Sequence, residues 1–412
     1  MRPINWLKLF GTGSLHVSMK LTAQLLLRPT SEQATLLLRT MEAANAACNA
    51  ISAYAFREKV FSKFSLQQAL YHDIRQRFSL TAQVVVRCLG KVADAYKVDK
   101  KAAIADRRKR SFRPHGAIAY DSRILRYYTD QQAVSIWTMG GREHIPYDVG
   151  EHHARLLAYQ QGESDLVYRP PRGGGKGKFL LLATCDVPEE DEEAVEGVLG
   201  VDLGIKQIAT TSEGDSFSGE VIEQNRQWYA GRKAVLQAVG TRSAKRRLRQ
   251  LSGRERRFRA DVNHQISKTL VRKAKDTKRA MALEDLTGIR KRTTVRKRQR
   301  ARHHGWSFYQ LRSFIEYKAK RDGVPVVLVD PRNTSRTCSV CGHCEKKNRK
   351  SQAEFVCKAC GHSMNADFNA ALNIAARGEV MHPMVSRSGH ASSPIPNRRE
   401  IDRHGPRSAQ AA

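Results

Sequence analysis

Acidic residues are the scarce component of this chain: 40 Asp and Glu stand against 72 Lys and Arg, a formal charge of +32 over 412 residues and a pI near 10.2. Such a surplus repels itself in a compact fold unless polyanions neutralise it, which narrows the partner to nucleic acid or an anionic membrane. Long hydrophobic runs are missing too. No stretch of about 18 apolar residues exists to span a bilayer, and the apolar block of the opening MRPINWLKLFGTGSLHVS is too short for a secretory signal. No membrane is therefore expected, and a cytosolic location is. Cysteine is sparse: of eight, Cys48, Cys88 and Cys185 are scattered in apolar surroundings like ordinary core thiols.

The remaining cysteines cluster. Cys338 and Cys341, then Cys357 and Cys360, form two C-x2-C pairs, each followed by a glycine, Gly342 or Gly361, that permits a tight turn. Four thiolates close a tetrahedron and leave no open position, so the Zn2+ expected here is structural. Cys344 leaves an alternative open, because Cys341 and Cys344 also make a C-x2-C pair; the parallel C-x-x-C-G repeat favours Cys338.

Around this ribbon the pattern divides the chain. An alternating run, His16 to Leu27, reads as a strand ended by Pro29. Thr30 and Gln33 form a capping-box pair ahead of Leu37, Met41, Ala44, Cys48 and Ile51 at helical spacing, and helix is expected to continue to about Asp106. It ends in the basic cluster Arg107, Arg108, Lys109 and Arg110. Short β-like runs fill 118 to 187. Residues 1–187 thus read as a β-rich body with a helical insertion at about 30–113.

After the acidic linker Glu189 to Glu193 come the strands Val198 to Leu203 and Ile205 to Thr211. A long basic helix follows, with a stripe of Phe258, Val262, Ile266, Leu270 and Ala274. The strand Ala280 to Leu283 ends in Glu284. The helix face Phe308, Leu311, Ile315 and Ala319, the strand Val324 to Val329, the ribbon and a helix from about Ala366 to Ala376 complete an α/β unit over 188–378. Residues 379–412 lack periodicity and are expected to be a disordered tail.

Three acids in this unit lie in apolar sequence: Asp202 inside a strand (GVDLG), Glu284 at the end of another (ALEDL) and Asp367 near the start of the last helix (NADFN). A carboxylate there is costly without a countercharge, and hard divalent cations such as Mg2+ take oxygen ligands. Acids converging from separate elements are what two-ion phosphodiester hydrolysis needs. Residues 290–302, RKRTTVRKRQRAR, add eight cations and no acid: Arg290, Lys291, Arg292, Arg296, Lys297, Arg298 and Arg300 among them. Residues 242–257 add eight more, and both runs read as phosphate-contacting surfaces.

GVDLGIKQIATTS, ALEDLTGIR and NADFNAALNIA resemble the three RuvC motifs of the TnpB (OrfB) family, transposon-encoded RNA-guided DNA endonucleases related to the type V CRISPR effectors. RRFRADVNHQISKTLV, WSFYQLRSFIEYKAKRDG, SRTCSVCG, FVCKACG and the opening LRPTSEQATLLL are similar as well, so the likeness reaches residue 378, weakest between 55 and 185. The resemblance implies an RNase H-like (RuvC) nuclease domain with an inserted zinc ribbon at 334–363. Before it would lie a β-barrel-like wedge domain with a helical recognition lobe. Asp202, Glu284 and Asp367 would be the catalytic ligands of two Mg2+ ions. The implied partners are a guide RNA from the transposon end and double-stranded target DNA bearing a short flanking motif, in the prokaryotic cytoplasm at the nucleoid. Oligomeric state stays open, a homodimer being admitted. Asn365 departs from the acid or His that many relatives carry two residues before the last Asp; it can cap the helix instead. Two alternatives accompany this reading: a guide-dependent repressor that binds without cutting, and a strand-joining transposase using the same acids.

Overall fold

A computed structural model describes residues 18–97, 108–171, 177–287, 308–351 and 353–382. The chain divides into two units, Met1–Pro188 and Glu189–Ala412.

In the first unit the order is β1 (Ser18–Leu27), α1 (Ser31–Glu58), α2 (Lys63–Arg77), α3 (Ala82–Lys97), β2 (Ile118–Tyr120), β3 (Leu125–Tyr128), β4 (Ala133–Thr138), β5 (Gly141–Asp148), α4 (Glu151–Leu157), β6 (Gln160–Arg169) and β7 (Lys178–Pro188). The strands pair antiparallel in one seven-stranded sheet, β2-β6-β7-β1-β5-β4-β3. The expected barrel-like body is thus seen as a continuous sheet with β2 and β3 at its edges. Thr30 and Gln33 make the reciprocal capping box that starts α1. The single helical stretch expected to Asp106 is instead three helices. Lys59 enters the left-handed region (φ 58°) and ends α1, and Ser62 caps α2 through the Ser65 N–H. Residues 98–107 lie outside the described residues. Cys48 and Cys88 are core side chains between α1 and α3, and Cys185 is core on β7.

The second unit runs β8 (Gly197–Asp202), β9 (Gln207–Thr211), β10 (Ser216–Ser218), α5 (Glu220–Val239), α6 (Arg242–Asp276), β11 (Arg279–Glu284), α7 (Phe308–Arg321), β12 (Val326–Val329), β13 (Glu354–Val356), β14 (Ser363–Asn365) and α8 (Ala366–Met381). Its main sheet has the order β10-β9-β8-β11-β12, with β8, β11 and β12 parallel and β9 and β10 antiparallel. Strand parity sorts the core onto two faces. Leu199, Val201, Met281 and Leu283 pack with Ile266 and Leu270 of α6 and Leu311 and Ile315 of α7. Val198, Ala280 and Ala282 pack with Ile374 of α8.

Two glycines let α8 lie close on that second face. A Cβ at Gly200 would stand 2.1 Å from Ala371 O and 2.5 Å from Ala375 N, and one at Gly378 would stand 2.6 Å from Ala282 Cβ. The helix continues to Met381, so residues 379–381, expected in the tail, are helical; their amides still find carbonyls one turn back, as His382 N does with Gly378 O at 3.0 Å. Residues 383–412 lie outside the described residues.

Candidate active site

Asp202 and Glu284 are the last residues of neighbouring parallel strands, one position beyond the registered pair Val201 and Leu283. Both share the parity of Val198, Gly200, Ala280 and Ala282, so both side chains fall on the α8 face. Gly378 of α8 meets Val198 while Ala371 and Ala375 meet Gly200, so α8 descends as β8 rises. That antiparallel packing delivers the first turn of α8, with Asp367, to the strand ends carrying Asp202 and Glu284. The Asn365 carboxamide caps this turn, accepting from the Asp367 and Phe368 N–H groups at 2.9 and 3.1 Å.

Electrostatics report the same convergence. Burial, then the charges of Glu284 and Asp367, push the Asp202 carboxyl up to about 8, against the opposing pull of Arg349 and the Leu203 N–H. Glu284 is 8% exposed and raised by burial; Thr334 Oγ1, which donates to Oε1 at 2.5 Å, and the cations Arg377 and Arg349 hold the rise back. Arg349 Nη2 binds Asp367 Oδ1 at 3.0 Å. Glu284 and Asp367 both act on Asp202 without crowding it: among the described residues, the cysteine quartet alone brings three or more His, Cys, Asp or Glu ligand atoms within 4.8 Å of one another. Ions 3.5–4 Å apart in a two-metal site accept ligands spread wider than that. An all-oxygen donor set in which Glu284 and Asp367 raise the affinity of Asp202 for positive charge suits a hard divalent cation.

Thr334 and Arg349 carry no signal in the sequence pattern. Both are polar residues in irregular segments, where no periodicity marks them. α8 holds the Thr334 segment: Asn373 Nδ2 donates to Thr334 O and Thr337 O at 2.8 and 2.7 Å, and Asn369 Nδ2 donates to Thr337 O at 2.8 Å, while Arg349 sits on a backbone bridge to Phe355.

The ribbon folds as two matching knuckles. Cys338 N donates to His343 O and Cys357 N to His362 O, while Gly342 and Gly361 take φ of 74° and 73°. Cys341 and Cys357 Sγ lie 3.5 Å apart, Cys338 and Cys360 Sγ 3.8 Å. At Cys357 burial opposes the thiolate, but the N–H groups of Cys360 and Ala359 together with the Cys341 and Cys360 thiols hold it at about 6. Cys344 is exposed, outside the quartet, and its backbone bridges Thr337. Four convergent sulfurs fit Zn2+.

Of the basic residues expected at phosphates, Arg108 and Lys109 are exposed and Arg110 is half-buried. Ser52 Oγ donates to Arg110 O at 2.7 Å and Asn49 Nδ2 to Phe112 O at 2.9 Å, tying this segment along α1. Arg107, and Arg290, Lys291, Arg292, Arg296, Lys297, Arg298 and Arg300, lie outside the described residues. No helix of the described residues is long and apolar enough to cross a membrane.

Residues 182–287 match a family model described as "Probable transposase", and residues 308–374 one described as "Cas12f1-like, TNB domain". The CRISPR-associated endodeoxyribonuclease Cas12f1 of Sulfoacidibacillus thermotolerans is 32% identical over 241 residues, 54% of this chain and 55% of that protein. A TnpB-like protein of Methanocaldococcus jannaschii is 39% identical over 124 residues, 30% of this chain and 44% of that protein. The chain thus spans about half the length of the curated relatives it matches. A cryo-EM structure of a Cas12f1-sgRNA-target DNA complex shares the fold at a TM-score of 0.56 and 16% identity, over 84% of this chain and 83% of that one. With matching models on both flanks of residues 288–307 and relatives of both kinds, the chain is similar to TnpB-like proteins and to Cas12f1 endodeoxyribonucleases.

Proposed function

We propose that this protein is a transposon-encoded, RNA-guided DNA endonuclease whose RNase H-like (RuvC) domain hydrolyses phosphodiesters at Asp202, Glu284 and Asp367. The observation that carries the reading is the convergence of these acids from two parallel strand ends and the first turn of α8, with Asp202 raised to about 8 by burial and the other two. The sheet order, an antiparallel β8-β9-β10 hairpin series beside parallel β11 and β12, supports the RuvC assignment. A relative named an endodeoxyribonuclease supports the enzyme class.

Two Mg2+ ions, when bound, activate a water and stabilise the leaving oxygen. The chain's own residues set the geometry. Thr334 fixes one oxygen of Glu284, and the α8 N-terminus favours the negative charge of Asp367. Arg349 holds Asp367 while lending positive charge to Asp202 and Glu284. Cys338, Cys341, Cys357 and Cys360 hold a structural Zn2+ that keeps this segment folded. Residues 1–187 serve as wedge domain and helical recognition lobe for a transposon-end guide RNA and the flanking motif of duplex target DNA.

The test is cleavage of a plasmid library by the purified ribonucleoprotein with Mg2+. Wild type cuts; Asp202→Ala, Glu284→Ala and Asp367→Ala each slow cutting by roughly a hundredfold or more with guide affinity unchanged. Binding without cutting, indifferent to Asp202→Ala, would point to a repressor, and joined ends would point to a transposase.

A further inference from the structure

The α5–α6 hairpin carries sixteen Lys and Arg against five Asp and Glu over its two helices. Its charge is unevenly spent. Between Arg242 and Arg257 the lone acid is Glu255, which Lys233 of α5 and Arg259 already bind. The other eight cations of that stretch are all exposed, and among the described residues none has an ion-pair partner. Facing solvent on α5 is an apolar set that a buried helix would cover: Val221, Trp228 and Val235, seven residues apart and 58%, 52% and 64% exposed. Ile222 is the sole buried residue of α5. Around Trp228 the Arg232 guanidinium lies 5.2 Å from the indole centroid, and Tyr229 braces it edge-on at 4.9 Å. The Lys233–Glu255 bridge sets this cluster beside the turn of α6 that bears Arg254, Arg256 and Arg257.

A braced indole with an open surface, under a row of unspent cations, selects its occupant by chemistry. A second copy of the chain would bring two like-charged rows face to face. A duplex supplies phosphates, but its bases are stacked on each other and closed to an indole. A single strand offers both regularly spaced phosphates and free π-faces. The row from Arg242 to Arg257 extends about 22 Å along the helix, room for a short run of nucleotides. We propose that the α5–α6 hairpin is a binding site for single-stranded nucleic acid. Trp228 and Arg232 stack an unpaired base, and the cations of Arg242 to Arg257 hold the flanking phosphates. The proposal deepens the nuclease reading by naming where one displaced or unpaired strand is held, and rests on it only for the class of partner.

The experiment uses the full chain without added Mg2+ and without a chelator, so that the zinc ribbon stays intact. A 20-nucleotide single strand carrying 5-iodouracil is irradiated on the protein and the adduct mapped by peptide mass spectrometry. Anisotropy then measures the affinity of an unmodified single strand and of a duplex of equal length. The adduct is expected at Trp228. Trp228→Ala should weaken the single strand about tenfold and leave the duplex unchanged, with Trp228→Phe recovering most of the loss. Arg246→Gln with Arg247→Gln should flatten the single-strand salt slope by about 0.7 for each phosphate no longer neutralised. Adducts elsewhere with none at Trp228, equal losses on both nucleic acids, or a dimer by sedimentation that Trp228→Ala dissolves would each overturn it. Asp202→Ala should bind as wild type does, so a protein that stacks the strand but cuts no plasmid would sink the nuclease reading and leave this one standing.

Discussion

Lys318 shows what one side chain costs the second unit. It is 6% exposed between α6 and α7, and its Nζ donates to His264 O at 2.7 Å and Ser267 Oγ at 2.6 Å, neither an anion. Burial, then Arg321 and Lys268, depress it to about 8, with Asp322 opposing. A folded value below the unfolded one means that the unfolded chain holds the extra proton between about pH 8 and 10.5. The stability this residue contributes is full above that window, is lost as pH falls to 8, and stays lost below. Lys318→Met is therefore expected to stabilise the unit at pH 7 and to remove roughly 1–3 kcal/mol of wild-type pH dependence across the window. Denaturant titrations at several pH values measure it, and parallel wild-type and variant curves would refute it. At this scale the three acids drew notice in the sequence, because carboxylates stand out in apolar surroundings, two on strands and one at a helix start. Thr334 and Arg349 did not: a hydroxyl and a guanidinium in irregular chain carry no pattern until the fold fixes the segments around them.

Among the elements, the decisive approach is that of α8 to β8. Parity chooses the face for Asp202 and Glu284, and Gly200 lets the helix backbone come near enough for Asp367 to join them. Gly200→Ala forces a methyl against Ala371 O and Ala375 N, backbone atoms that yield only if the helix moves. The expected cost is about 1–3 kcal/mol or more, read as a lowered calorimetric midpoint, together with slower cutting as Asp367 withdraws. An unchanged midpoint would mean that α8 lies farther from the strand. Strands and helices with strong periodicity were readable: β8, β11 and the Ile266, Leu270 and Ala274 stripe pack as the pattern requires. Phe258 and Val262 of that stripe are only partly buried, because α6 outruns the sheet it covers. The breaks in the N-terminal helices escaped notice, since Lys59 in a left-handed conformation has no glycine to announce it. The close passage of α8 escaped as well, because a glycine inside a strand does not name its neighbour.

For the whole molecule, charge governs. A net +32 implies that affinity for nucleic acid rests on released counterions. Binding of a nonspecific 20-base-pair duplex should fall by about a thousandfold between 50 and 200 mM salt, the reduction that six or more neutralised phosphates give. Anisotropy across salt concentrations measures this, and a flat response would contradict an electrostatic footprint. Sequence composition made this property plain, and the acidic run Glu189 to Glu193 already marked the place, one residue from the expected boundary, where the folded chain divides at Pro188 and Glu189. One join has a chemical consequence. Strand β14 ends at Asn365 and α8 begins at Ala366, so Cys360 and Asp367 belong to a single unbroken stretch with no linker between them. An oxidant or thiol-directed electrophile that attacks the exposed Cys341 or Cys360 would unseat the acid without ever touching it, and cutting would inherit the redox sensitivity of sulfur.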